Sequence, residues 1–361
     1  MKIKDLVCFL VFLLVIVSNV WARVSGLCSN CHTMHNFQNG SVVTGSGPNP
    51  ALTKVDCVGC HSSEDSSTTY QLGSSVVPVV LYRGGSAPTQ YLAGGNFWWV
   101  KEGLGGDDTK GHNVFLNEDD DNLTVAPGYN ISSCGTDSCH NNLSRPASGA
   151  SDPDLDLEGR YGCRGCHLRP KHHADDSDTI IDSADEGWFR FLSGHMSGQG
   201  HGVVGIEDPD WQATVSPSDH NEYLGSTSGS YTEYGGFGAL GNTMTAFCTG
   251  CHGRFHVQNG QVTGGSPWLR HPSDAVIPNS GEYASYTEYN PLAPVARPNL
   301  TGYNGPSSIV TPGTDLVMCL SCHRAHGSPY PDMLRWDYLN ACKVGVANDE
   351  CGCFICHSAK D

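Results

Sequence analysis

Two thiols separated by two residues and followed at once by an imidazole can do one specific piece of chemistry. Each thiol forms a thioether to a porphyrin, and the imidazole is then held beneath the ring, within reach of its iron. Cys28-Ser29-Asn30-Cys31-His32 is such a unit. It returns as Cys57-Val58-Gly59-Cys60-His61, Cys163-Arg164-Gly165-Cys166-His167, Cys248-Thr249-Gly250-Cys251-His252, Cys319-Leu320-Ser321-Cys322-His323 and Cys353-Phe354-Ile355-Cys356-His357. A longer form, third in chain order, runs from Cys134 to Cys139-His140 with four residues between its cysteines. Seven units predict seven c-type haems. Their proximal iron ligands are His32, His61, His140, His167, His252, His323 and His357.

Ten further histidines are candidates for the opposite face of each iron: His35, His112, His172, His173, His195, His201, His220, His256, His271 and His326. His35 and His326 follow their motif histidines by three residues and His256 by four. On a helical turn such pairs point the same way. Each therefore suits the iron of a neighbouring haem, not its own. His112, His220 and His271 stand in loops away from any unit. His172 and His173 are adjacent and point apart, so at most one of them, His173, is expected to bind. His195 and His201 compete within a glycine-rich loop and are not separated. Met34, Met196, Met244, Met318 and Met333 are rival ligands. With histidine in surplus they read as packing residues, and mainly bis-histidine haems predict low potentials.

The elements that position these groups are short. Lys2 and Lys4, an apolar run from Leu6 to Val17 and the small-residue site Val20-Trp21-Ala22 make residues 1–22 a secretory signal peptide. The run is too short to be read as a membrane span. Export fits the chemistry, to the periplasm or the cell surface. Removing Cys8 with that peptide leaves sixteen of seventeen cysteines, of which seven units use fourteen. The remaining two, Cys342 and Cys351, are expected to pair in an oxidising compartment. A second register exists, because Cys351 and Cys356 also have four residues between them, and Cys342 would then pair with Cys353.

The formal charge of −17 becomes −18 when Lys2, Lys4 and Asp5 leave with the signal peptide. So acidic a chain argues against nucleic acid and anionic lipid as partners. It favours basic redox proteins, or solubility alone. Glycine and proline make 64 of 361 residues, and seven haems share the mature 339. The expected fold is mostly irregular coil with short helices and few short strands, around a core of stacked haems. Residues 23–361 are expected to form one heptahaem unit, with haem pairs at 28–61, 134–167 and 319–357 and a solitary haem at 248–252. Residues 76–82 and 91–100 read as short strands, as does part of 203–211. Residues 265–318 read as extended coil. Pro331 to Asn340 has helical spacing with proline at its start. The acidic stretch 117–122 lacks the glycine and alternation of a calcium loop.

Cys28 to His35 (Cys-x-x-Cys-His-Thr-Met-His) and the segment from Cys319 to Tyr330 resemble the large multihaem c-type cytochromes of metal- and sulfur-respiring bacteria, a group that includes the subunits of extracellular cytochrome filaments. The likeness extends to Arg190-Phe191-Leu192, residues 205–211, His220-Asn221-Glu222-Tyr223 and Trp268-Leu269-Arg270-His271-Pro272. The resemblance implies bis-histidine haems in a continuous stack that carries respiratory electrons to a redox partner or external acceptor. It allows a homopolymer. Seven units, and the long third one, depart from the best-known filament subunits.

The rival functional class is a multihaem reductase of nitrite, hydroxylamine or an oxyanion, which needs one iron with an open position. Every unit here ends in histidine, and none carries the lysine that marks one form of such a site. Zinc knuckles are a third class. The histidine directly after every second cysteine argues against them.

Overall fold

Single turns held by capping side chains and two-stranded ladders build this molecule, as its glycine and proline content requires. The computed structural model describes residues 24–45, 50–101, 103–115, 127, 143, 162–167, 170–193, 202–226, 241–252, 255 and 271–360. Residues 1–23, the stretch 117–122, the third unit (134–140), His195, His201 and His256 lie outside them.

Among the described residues the α-helices are α1 (Cys28–Cys31), α2 (Cys57–Cys60), α3 (Met244–Thr249), α4 (Tyr338–Ala341) and α5 (Gly352–Cys356). The Asp56 carboxylate caps α2 by accepting from the Gly59 amide, and the Thr243 hydroxyl caps α3 by accepting from that of Ala246. Ten strands among the described residues pair as ladders: β1 (Phe37–Gln38) with β2 (Ser41–Val42), β3 (Ser62–Ser63) with β6 (Leu81–Tyr82), β4 (Thr69–Leu72) with β5 (Ser75–Pro78), β7 (Gly205–Ile206) with β8 (Glu222–Tyr223), and β9 (Ala275–Val276) with β10 (Leu316–Val317). Only β3 and β6 run parallel. The β4–β5 hairpin turns at Gly73, whose φ of +64° suits glycine, and a Cβ there would lie 1.9 Å from the Asn30 amide nitrogen. The hairpin thus sits directly on the first unit.

Two expected elements differ. Residues 91–100 form no strand; Asn96 instead caps a 3₁₀ turn at Phe97–Trp99. Residues 331–340 are not one helix. Asp332 and Met333 both have φ of +58°, and helix resumes only at α4. Backbone pairing with the sixth unit overrides the helical spacing: Arg324 donates to the Met333 carbonyl at 2.8 Å and Arg335 to that of Cys322 at 2.9 Å.

The apolar core is divided into small clusters. One gathers Phe189, Val203, Tyr223, Met244, Ala296, Leu316 and Met318; another holds Ile277, Tyr286, Tyr289, Val295 and Val310. Between them lies a buried ionic knot. Arg297, 1% exposed, donates to Glu222 at 2.9 Å and to Asp315 at 2.5 Å. No helix among the described residues is long and apolar enough to cross a membrane.

Candidate haem sites

The six described units share one local geometry. The amide of each motif histidine donates to the carbonyl of the unit's first cysteine: His32 to Cys28, His61 to Cys57 and His167 to Cys163 at 2.8 Å, His252 to Cys248 at 3.0 Å, His323 to Cys319 at 3.1 Å and His357 to Cys353 at 2.9 Å. This closed turn sets residues i, i+3 and i+4 on one side. Both thiols and the imidazole are thereby presented together.

The second nitrogen of each motif ring is also anchored. Nδ1 of His32 faces the Ala51 carbonyl at 3.0 Å, that of His61 the Pro78 carbonyl at 3.0 Å, and that of His167 the Arg190 carbonyl at 3.1 Å. His252 uses Pro127 at 2.8 Å and His323 uses Asp332 at 2.7 Å. His357 alone uses a side chain, the Glu282 carboxylate at 3.1 Å. A carbonyl can only accept, so Nδ1 carries the proton and Nε2 keeps its lone pair for a metal. Three of these carbonyls belong to turns that the sequence did not announce. Ala51-Leu52, Arg190-Phe191 and Asp332-Met333 each place two consecutive non-glycine residues at φ between 50° and 59°. Such backbone costs of order 1–2 kcal/mol per residue, and strain of this kind concentrates at functional sites. Only the proline or phenylalanine before each pair hinted at it.

Opposite the motif rings stand other histidines. The ring centres of His32 and His173 lie 6.0 Å apart, His61 and His172 6.2 Å, His112 and His252 6.0 Å, His167 and His326 6.3 Å, and His271 and His357 6.3 Å. Two metal–imidazole bonds of about 2.0 Å, with about 1.1 Å from each nitrogen to its ring centre, span about 6.2 Å across one metal ion. The pairs therefore fit a haem iron held between two imidazoles. Burial keeps several rings neutral, as a ligand must be. It pushes His167, His172 and His252 down to about 4 and His326 to about 3, with neighbouring histidines adding to the effect.

Two expectations change here. His172 and His173 are both placed opposite motif histidines. Pointing apart does not exclude one of them; it lets a single peptide reach two sites. His220 is fully buried, with its ring 3.5 Å from that of Tyr289 and Nε2 3.4 Å from Glu222, so it faces a carboxylate and a phenol and, among the described residues, no motif histidine. His35 is exposed, and His323 faces no histidine ring among the described residues. Met244 and Met318 pack in the core.

The thiols order the units. Cys60 of unit two lies within electrostatic reach of Cys31 of unit one, and Cys57 lies beside Cys163 of unit four. Cys248 of unit five lies near Cys166 and beside Cys319 of unit six, and Cys322 lies near Cys353 and Cys356 of unit seven. The described units neighbour one another in an unbranched series in chain order, with unit five between units four and six. Cys342 and Cys351 form a disulfide, leaving Cys353 and Cys356 as free thiols.

The family model described as a doubled CXXCH motif matches residues 312–361. The C-type cytochrome OmcS of Geobacter sulfurreducens is 26% identical over 369 aligned residues, spanning 86% of this chain and 78% of its own. The chain is thus similar to a C-type cytochrome over most of its length. Its fold is similar to a solved structure of the outer membrane cytochrome S filament from Geobacter sulfurreducens, with a TM-score of 0.52 and 20% identity over 88% of this chain and 84% of that one. A second solved structure, of the OmcS nanowires, aligns with a TM-score of 0.48 and 21% identity.

Proposed function

We propose that this chain is a heptahaem electron carrier whose irons are ligated by two histidines each. The five ring pairs carry this reading, because each joins one motif histidine to one histidine from a distant part of the chain at a metal-spanning distance. When bound, the haems supply one-electron ferric–ferrous exchange. The polypeptide supplies the ligands, fixes their tautomers and orders the sites. The partners of His140 and His323 come from His35, His195, His201 and His256. An unbranched series suits conduction along the molecule better than reduction of a substrate at one open iron.

Assembly into a filament is the second part of the reading. Leu27, Met34, Phe37 and Val42 are 58–72% exposed near the N-terminal end, and Leu339 and Val344 74% and 76% near the C-terminal end. Two different apolar surfaces suit a head-to-tail contact between copies, and such contacts propagate. Exposed His35 is placed to ligate within a neighbouring copy. Export to the cell surface, toward an external acceptor or redox protein, completes the proposal.

Low-temperature EPR on the fully oxidised, assembled protein tests it. Low-spin ferric signals from all seven irons are expected. A stoichiometric high-spin signal would return the reductase reading. Electron microscopy that finds only monomers at high concentration would remove the filament.

A further inference from the structure

The sulfurs of Cys342, Cys351 and Cys353 lie within 4.8 Å of one another. Cys342 and Cys351 are joined, with Cα atoms 5.1 Å apart, while Cys353 keeps its thiol. Cys351 is fully buried and stands immediately before α5, which carries Cys353 and Cys356. The local sequence offers a haem two registers. Cys353 and Cys356 have two residues between them; Cys351 and Cys356 have four, the spacing this chain itself uses at Cys134 and Cys139. His357 follows either. An attachment machinery that accepts both spacings in this chain finds no local signal to choose between them.

We propose that the Cys342–Cys351 disulfide is a register guard, formed before haem attachment, which directs the seventh haem to Cys353 and Cys356 by withholding Cys351. The proposal rests on the heptahaem reading above. The chemistry balances in two steps. First, the thiols of Cys342 and Cys351 lose two protons and two electrons to a disulfide-donating protein of the exported compartment, and one S–S bond forms. Then the thiols of Cys353 and Cys356 each add across one vinyl group of the haem. An S–C bond forms at one vinyl carbon, the thiol hydrogen moves to the other, and no electrons leave.

The packing keeps the guard in place. The Trp336 indole lies against Gly352, where a Cβ would meet it at 2.2 Å, so the peptide between Cys351 and Cys353 is pinned to the ring.

The test is peptide mapping by tandem mass spectrometry of the full-length protein, matured in an exporting host. Three forms are compared: the unaltered chain, Cys342→Ser, and Cys342→Ser with Cys351→Ser. The unaltered chain is expected to give one C-terminal product, with the disulfide intact and haem on Cys353 and Cys356. Cys342→Ser is expected to lose that single product. It should give a mixture that includes haem on Cys351 and Cys356, or haem on Cys356 alone beside a Cys351–Cys353 disulfide. The double variant is expected to regain the single product, because the competing thiol is gone. A Cys342→Ser protein with haem only on Cys353 and Cys356 would overturn the guard. So would a double variant as mixed as the single one, which would make the disulfide a staple. Haem on Cys351 and Cys356 in the unaltered chain would overturn the guard alone. An unaltered C-terminal peptide with the disulfide but no haem would overturn the seven-haem reading.

Discussion

The two histidines of each ring pair are supplied by opposite kinds of structure. His32, His61, His167, His252 and His357 stand at the ends of turns closed by one hydrogen bond within five residues, repeated with little variation. Their partners come from unrelated contexts. His172 and His173 share one loop, His326 packs its ring 4.7 Å from that of Phe97, His112 donates Nδ1 to the Ala325 carbonyl at 2.7 Å, and His271 lies beside Pro272. The angle between paired ring planes varies accordingly, from 24° at His32–His173 and His61–His172 to 81° at His271–His357. The closed Cys-x-x-Cys-His turn is therefore a local property that can be repeated without consulting the rest of the fold. The pairing of two imidazoles is a long-range one, and each ring pair acquires its own geometry.

Several variants would break or sharpen this contrast. The largest effect is expected from the adjacent pair. His173→Ala should leave one open iron at unit one and His172→Ala one at unit two, each converting one haem to high spin in EPR while intact mass still counts all of them. Conversion of the same haem by both variants would dissolve the assignment.

Arg297→Ala touches no ring pair but leaves Glu222 and Asp315 buried without their cation. The loss of one partner from a buried ion pair costs about 3–5 kcal/mol. Chemical denaturation of the intact holoprotein should report that loss with the haem count unchanged.

Two smaller effects concern charge. Burial, with a hydrogen bond shared with Asp210, pushes Asp208 up to about 7. Its folded value lies above its unfolded one, so its contribution to stability is complete at acid pH and is lost as pH rises through 7. Raising pH from about 6 to 8 should therefore cost about 1.4 kcal/mol, and Asp208→Asn should abolish that slope in thermal melts. Glu282 gives His357 the one charged Nδ1 partner among the described motif rings. A carboxylate there makes the imidazole a stronger donor and favours ferric iron. Glu282→Gln should raise the potential of the seventh haem by on the order of 60 mV, one tenfold change in relative affinity for a one-electron couple. Spectroelectrochemistry that finds all midpoints unmoved would place the control elsewhere.

The shortness of the described elements was legible in composition, and the Cys-x-x-Cys-His units were legible in spacing. The strained carbonyl turns were not. Ala51-Leu52 and Asp332-Met333 carry none of the glycine or asparagine that usually marks left-handed pairs. The false helix at 331–340 arose the same way, because its apolar spacing is real while the backbone is claimed by Cys322 and Arg324. The reading of His173 alone differs for another reason. Adjacency in sequence states that two rings diverge, and only the structure places both of them opposite motif histidines, His32 and His61.

By itself, then, the sequence determined what can be written within five residues: where each thiol pair stands, which imidazole follows it, and that a chain so rich in glycine and proline favours short elements. The tertiary structure alone decided which distant histidine completes each pair, that His220 serves Glu222 and Tyr289, and in what order the units meet. The division has a physical cause. A motif turn is closed by a hydrogen bond along the chain, whereas a ring pair is closed through space, where loop packing and not spacing brings two rings to face each other.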